Sequence, residues 1–192
     1  MATFCTMTLS AQILSGARTG KPDPMDEAHF ETFYRRHAGG VWSYLFRMTG
    51  DATLADDLLQ KAFFRFLRAN PVLADDDHMR RWIYRTATNL AMDHFRETKR
   101  ERGRAGESKE EEAASPTEAR HVLRHDMMKV FAELKPKERA LLWLAHVEEA
   151  DHEDIGQALG VKPGSVKVLL FRARKHLGEL LTKKGLAPEV RK

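Results

Sequence analysis

Between His152 and Lys175 the chain reads HEDIGQALGVKPGSVKVLLFRARK, and its charge changes sign partway along. Five acids stand between Glu148 and Asp154, whereas Val161 to Lys175 carries Lys162, Lys167, Arg172, Arg174 and Lys175 and no carboxylate. A merely solvated helix has no need of such segregation. The small and apolar residues have the spacing of a helix-turn-helix. Gly156 puts no side chain where two helices cross closely, Gly160 can take φ > 0 in a tight turn, and Ile155, Leu159, Val161, Val166 and Leu169 face inward. Pro163 suits the first turn of the second helix, where its missing N–H has no intrahelical partner to lose. That helix projects Ser165, Lys167, Val168, Phe171 and Arg172 outward. Its N-terminal residues can reach base edges in a major groove while its cations lie near phosphates. Duplex DNA is the ligand expected for this face.

Two further surfaces carry chemistry. From Met79 to Arg104 there are seven Arg and one Lys against Asp93, Glu97 and Glu101, a net of +5. On the helix expected there, Ile83, Ala87 and Leu90 make one side, and Arg81, Arg85, Asn89, Met92 and Arg96 populate another. Cations interleaved with an amide suit single-stranded or partly melted nucleic acid, whose unstacked bases need planar partners and whose backbone needs charge. Trp82 and Tyr84 can serve as those planar partners or as core residues. On the preceding helix Asp57, Gln60, Lys61 and Phe64 lie along one line at i, i+3, i+4 and i+7. An apolar ring on this polar face has the character of an anchor in a protein interface.

The elements that must position these residues are all helical. Phe30, Phe33, Tyr34, His37, Val41, Tyr44, Leu45 and Met48 recur at three and four residues, interrupted by Gly39-Gly40, which reads as a late helix start or a local kink. Gly50 ends this helix, and Thr53-Leu-Ala-Asp56 has the form of a capping box for the next. Leu54, Leu58, Leu59, Ala62, Phe63, Phe66 and Leu67 supply its buried stripe. Asn70-Pro71 stops it, NPVLADDDH reads as a loop, and a third helix follows from about Met79 to Arg100. ERGRAGESKEEEAASPT, from Glu101 to Thr117, has no apolar period and reads as a flexible linker. A second helical block from Glu118 to Leu181 breaks at Lys135-Pro136 and near Glu149 to Asp151. The expected fold is all-α: a helical domain over 25–100, a linker over 101–117, and a helix-turn-helix domain over 118–181. A disordered extension over 1–24, with Met7 and Met25 as further start codons, and a tail over 182–192 flank them.

Composition narrows the function classes. The 192 residues are 42% hydrophobic and carry 32 Lys and Arg against 28 Asp and Glu, so nucleic-acid binding must come from patches. A single cysteine, Cys5, excludes an internal disulfide and a clustered cysteine metal site, and fits a reducing compartment. No run of apolar residues is long enough to span a bilayer, and the N-terminus lacks the form of a secretion signal, so a cytoplasmic location is expected. No HExxH, P-loop, nucleophile elbow or paired-ligand spacing joins the nine His and the carboxylates, so no enzyme activity, cofactor, metal or small-molecule substrate is expected. His121, His125 and Asp126 do share one helical face, a spacing compatible with an isolated metal.

ADDLLQKAFFRFL, RRWIYRTATNLAMDHFR and DIGQALGVKPGSVKVLLFRARKHL, in this order across an unstructured linker, resemble the extracytoplasmic-function (ECF) class of bacterial sigma factors. The likeness runs from about Phe30 to Leu181. It implies that Asp57, Gln60, Lys61 and Phe64 hold core RNA polymerase on the β′ coiled coil. It implies that Arg81, Arg85, Asn89, Met92 and Arg96, with the loop from Asn70 to His78, melt and read the minus-ten element. Ser165, Lys167, Val168, Phe171 and Arg172 would read the minus-thirty-five element. The linker would thread toward the polymerase active-site cleft, where the acidic Glu110 to Glu112 would stand in for nucleic acid; the β subunit and an anti-sigma factor are further implied partners. One departure stands out: where the family has a polar residue and then Arg after the Lys167 position, this chain has Val168 and Leu169. A stand-alone helix-turn-helix regulator, with the first block as a dimerisation or sensing module, is the competing reading.

Overall fold

The computed structural model describes residues 27–71, 75–105 and 127–186, and every regular element among them is an α-helix. These are α1 (Glu27–Thr49), α2 (Ala52–Ala69), α3 (Asp76–Ala105), α4 (127–133), α5 (Pro136–His146), α6 (His152–Leu159) and α7 (Pro163–Lys183). The expected acidic segment Glu110 to Glu112, the group His121, His125 and Asp126, and the N-terminal extension fall outside the described residues.

In the first block α1, α2 and α3 pack pairwise. Phe33, Tyr44, Leu45 and Met48 of α1 meet Leu58, Ala62, Phe63 and Phe66 of α2, and Ile83, Tyr84 and Ala87 of α3 close the core. Phe33 stacks on Phe66 with ring centroids 4.9 Å apart. The buried Tyr44 hydroxyl shares a 2.8 Å hydrogen bond with Thr88, which in turn donates to the Tyr84 carbonyl at 2.7 Å. Both hydroxyls are thereby used inside the core, as buried polar groups require.

Local expectations fared unevenly here. α1 runs unbroken through Gly39-Gly40, with neither a late start nor an interruption of the helix. The glycine is explained by packing: a Cβ on Gly40 would lie 2.9 Å from the Tyr84 hydroxyl oxygen, so its absence lets α1 and α3 approach closely. Gly50 does end α1, at φ +77°. The cap of α2, however, is Asp51, whose carboxylate accepts from the Leu54 N–H at 3.1 Å. Asp56, expected to complete a capping box with Thr53, instead accepts from the Trp42 indole at 2.7 Å. Leu67, assigned to the buried stripe, points outward beside Phe64. α3 begins at Asp76, inside the expected loop, and runs past the expected linker start to Ala105. Asp76 ties its start to α1, receiving Arg36 at 3.1 Å and His37 at 3.0 Å. Burial opposes ionisation of this carboxyl, but those two partners hold it below the usual aspartate range.

The second block follows its sequence closely. Lys135 precedes Pro136 at the first helical position of α5, and the Glu138 carboxylate accepts from the Lys135 N–H at 3.0 Å. Asp151 caps α6 through the Asp154 N–H at 2.8 Å, and Gly160 closes it at φ +63°. A Cβ on Gly156 would stand 2.9 Å from the Val161 carbonyl oxygen, which confirms the close crossing expected there. Pro163 opens α7; Val166 and Leu170 are its buried anchors, with Leu169 only half-buried.

The two blocks are also in contact, α6 lying along α3 and α5 against α1 and α3. Leu144, Ile155 and Ala158 belong to the same apolar cluster as Tyr44 and Tyr84. This places the acidic start of the helix-turn-helix against the arginines of α3.

Candidate nucleic-acid and protein interfaces

α2 presents its outer face without obstruction. Ala55, Leu58, Leu59, Ala62, Phe63 and Phe66 turn inward, so helical periodicity leaves Asp57, Gln60, Lys61 and Phe64 all exposed on the opposite side. Phe64 is 63% exposed, and Leu67 lies one turn beyond it. A lone exposed ring is ordinary, but two large apolar groups edged by Asp57, Gln60 and Lys61 make an apolar centre with a polar rim, the composition that protein interfaces have. Sequence reasoning placed Leu67 in the core and so missed half of this centre.

α7 likewise holds its five expected residues outward. Ser165, Lys167, Val168, Phe171 and Arg172 are exposed, while Val166, Leu170 and Ala173 anchor the other side. Phe171 is 67% exposed and Val168 half-exposed, so an apolar strip runs between the cations Lys167 and Arg172. Such a strip can touch thymine methyl groups while the flanking charges engage phosphates. Pro163 and Gly164 begin the helix without bulky side chains, leaving its first turn accessible.

The α3 face is different. Asn89 and Arg96 are exposed, with Arg96 paired to Asp93 at 2.6 Å. Met92, assigned to this face by its sequence, is 6% exposed and belongs to the core. The reason is the angular width of the packed side: Ile83, Ala87, Leu90 and Ala91 require more than one stripe, and Met92 completes it. Tyr84 is also buried; that burial, with the Glu148 carboxylate beside it, pushes its hydroxyl far above the ordinary tyrosine range. Trp82 sits edge-on to Phe66 at 5.3 Å and is partly buried. The Tyr84 ring is thereby closed to stacking on a base, while Trp82 keeps part of its ring at the surface.

Three arginines on α3 are engaged by the second block. Arg80 donates to the Glu148 carboxylate at 3.1 Å and to the Glu148 carbonyl at 3.2 Å. Arg81 reaches Asp154 at 3.4 Å, and Arg85 donates to the Gln157 amide oxygen at 2.8 Å. Arg80, Arg81, Arg85, Glu148 and Asp154 line a cleft of ≈ 250 Å³ between α3 and the α5–α6 turn. No group of three or more metal-ligating side chains occurs among the described residues, and none of their helices is long and apolar enough to cross a membrane.

The chain matches the family models for sigma-70 region 2 over residues 33–101 and sigma-70 region 4 over residues 124–177. It is 31% identical over 156 residues to the RNA polymerase sigma factor CarQ of Myxococcus xanthus, covering 79% of this chain and 88% of that protein. It is 27% identical over 174 residues to the ECF RNA polymerase sigma factor SigL of Mycobacterium tuberculosis, covering 88% of this chain and 98% of that one. Among solved structures, its fold is similar to that of the sigma factor RpoE in complex with the anti-sigma factor NepR from Bartonella quintana, with a TM-score of 0.67 at 20% identity. That match covers 80% of this chain and 96% of the other. The fold is also similar to CnrH in complex with the cytosolic domain of CnrY, with a TM-score of 0.58 at 19% identity, over 82% of this chain and 90% of that one. Region 2 thus coincides with α1–α3 and region 4 with the block holding the helix-turn-helix, and the chain belongs to the ECF class of RNA polymerase sigma factors.

Proposed function

We propose that the three faces divide the work of promoter-specific transcription initiation, carried out in the cytoplasm with core RNA polymerase, promoter DNA and an anti-sigma factor as partners and without catalytic chemistry of the chain's own. Asp57, Gln60, Lys61 and Phe64, joined by Leu67, dock on the polymerase. Arg81, Arg85, Asn89 and Arg96 take the minus-ten strand as the duplex opens. Ser165, Lys167, Val168, Phe171 and Arg172 read the minus-thirty-five duplex. The observation that carries this division is the open α2 face, whose apolar centre is separate from both sets of cations and has no use in a protein that only binds DNA.

Core polymerase supplies the specificity in this reading, because each small block offers few DNA contacts by itself. Run-off transcription with core enzyme across a library of promoters is the test. Promoter-selective transcripts that depend on the chain, with weak promoter binding by the free chain, are the expected result. A free protein that footprints an operator at nanomolar concentration and adds nothing to transcription would instead be a stand-alone regulator.

A further inference from the structure

The acidic run ahead of the helix-turn-helix has no part in reading DNA, yet its carboxylates are not idle. Glu148 lies in the α5–α6 turn, only 12% of its side chain exposed, and binds Arg80. Asp154 and Gln157, one turn apart on α6, meet Arg81 and Arg85, which are themselves one turn apart on α3. The pairing therefore follows the pitch of two helices lying side by side. Two of the three arginines are those assigned to the minus-ten strand. Oxygen atoms from Glu148, Asp154 and Gln157 take up guanidinium N–H donors of Arg80, Arg81 and Arg85, and donors engaged in this way are withdrawn from the phosphate and base oxygens of a single strand.

We infer that the Glu148–Gln157 segment is a built-in competitor of single-stranded DNA, latching region 4 onto the minus-ten face of region 2 until polymerase opens the chain. This rests on the proposed role of the α3 arginines. The latch leaves α2 and α7 exposed, so polymerase can dock on Phe64 while the latch is still closed.

The closed form carries its own opposing term. Arg139 on α5 is 8% exposed, its Nε has no hydrogen-bond partner among the described residues, and burial lowers the pKa of its guanidinium. Its guanidinium carbon lies 5.6 Å from the centre of the Phe95 ring on α3, a contact that offsets only part of the desolvation. The contact also buries Leu144, Ile155 and Ala158 in the cluster of Tyr44 and Tyr84, so opening must expose apolar surface, and the incompletely satisfied cation offsets part of that cost.

Binding of a fluorescein-labelled single-stranded DNA oligonucleotide by the full chain, followed by anisotropy, tests the latch. The strand is a thymine-rich oligonucleotide chosen without reference to any mapped promoter, since a cationic single-strand face tolerates sequence. E148Q/D154N, which removes both carboxylate charges, should bind on the order of tenfold more tightly than wild type, because the competent fraction rises. Q157E gives the opposite test without disturbing the core: a carboxylate isosteric with the amide faces Arg85 and should weaken strand binding below wild type. R81A/R85A in the E148Q/D154N background should abolish the gain. Equal strand binding by wild type, E148Q/D154N and Q157E would overturn the latch, even with normal run-off transcription. Failure of every version to direct run-off transcription would instead overturn the sigma-factor roles, while the strand-binding comparison would still decide the latch.

Discussion

The outer face of α2 and the arginine face of α3 belong to the same small block, yet one stands open and the other is covered. On α2, Asp57, Gln60, Lys61 and Phe64 are exposed, with no other helix among the described residues against them; on α3, Arg80, Arg81 and Arg85 meet oxygen atoms of the second block. The difference is one of ligand chemistry. An apolar docking centre can wait in solvent because a single ring and a leucine make a small patch. A row of guanidinium groups attracts the nearest carboxylates, and in this chain those are covalently tethered. On the proposed roles, a protein interface and a nucleic-acid interface in one molecule therefore need different means of being kept available.

The largest effect expected on this contrast comes from the open side. Changing Asp57, Gln60 and Phe64 together to Ala removes a ring, a charge and an amide that support nothing else in the fold. Loss of the Phe64 anchor alone should cost about 2 kcal/mol of polymerase binding, and the triple variant should fall well over tenfold in a pull-down titration. Thermal stability should change little, by about 1 kcal/mol or less. Wild-type affinity for core enzyme in this variant would remove α2 from the docking role and end the contrast.

Next in size is a paired test of the contact that sets α3 in place. Gly40→Ala forces a methyl to 2.9 Å from the Tyr84 hydroxyl, so overpacking should destabilise the first block by about 1–3 kcal/mol. Gly39, one residue earlier, has open space around it, and Gly39→Ala should stabilise α1 by roughly 0.5–1 kcal/mol. Opposite shifts in the thermal midpoint are the expected outcome. Two shifts of the same sign would mean that α1 and α3 are not pressed together at Gly40.

What the sequence disclosed and withheld follows a physical division. Gly156, Gly160 and Pro163 announce the helix-turn-helix because close approach, positive φ and a missing N–H are each satisfied by one residue type. The outward residues of α7, and those of α2 apart from Leu67, were legible from periodicity alone. Gly40 was misread because its requirement comes from Tyr84, 44 positions away, which no local pattern contains. Leu67 and Met92 were exchanged between surface and core for a related reason: at the margin of an apolar stripe, only the neighbouring helix decides which way a residue is covered. The pairing of the acidic run with α3 spans about 70 residues. The charge reversal at Val161 signalled that the acids had a purpose, and only the packing of α6 on α3 supplied the partner.

A third test measures how open the α7 face is compared with α3. Lys167 and Arg172 are exposed and take no part in the latch, so replacing both by Ala should act on the duplex alone. With each cation neutralising one phosphate, the double replacement should lower the slope of log affinity against log salt by about 2 for holoenzyme on a minus-thirty-five duplex. An unchanged slope would place the phosphate-binding cations elsewhere on the chain.

The smallest effect distinguishes apolar reading from charge on that same helix. Val168 stands where the family resemblance implies a polar side chain, and with Phe171 it offers a base edge only carbon contact. The group in the major groove that rewards such contact is the thymine methyl. Replacing a thymine of the minus-thirty-five element by deoxyuridine removes that methyl and leaves pairing and backbone untouched. At a thymine touched by Val168 the change should cost wild-type holoenzyme about 0.8 kcal/mol, roughly fourfold in affinity. V168S should bind the two duplexes alike at that position, since its hydroxyl gains nothing from a methyl, and should fold as wild type because the site is on the surface. A scan in which no deoxyuridine weakens wild-type binding would show that Val168 faces the groove without reading it.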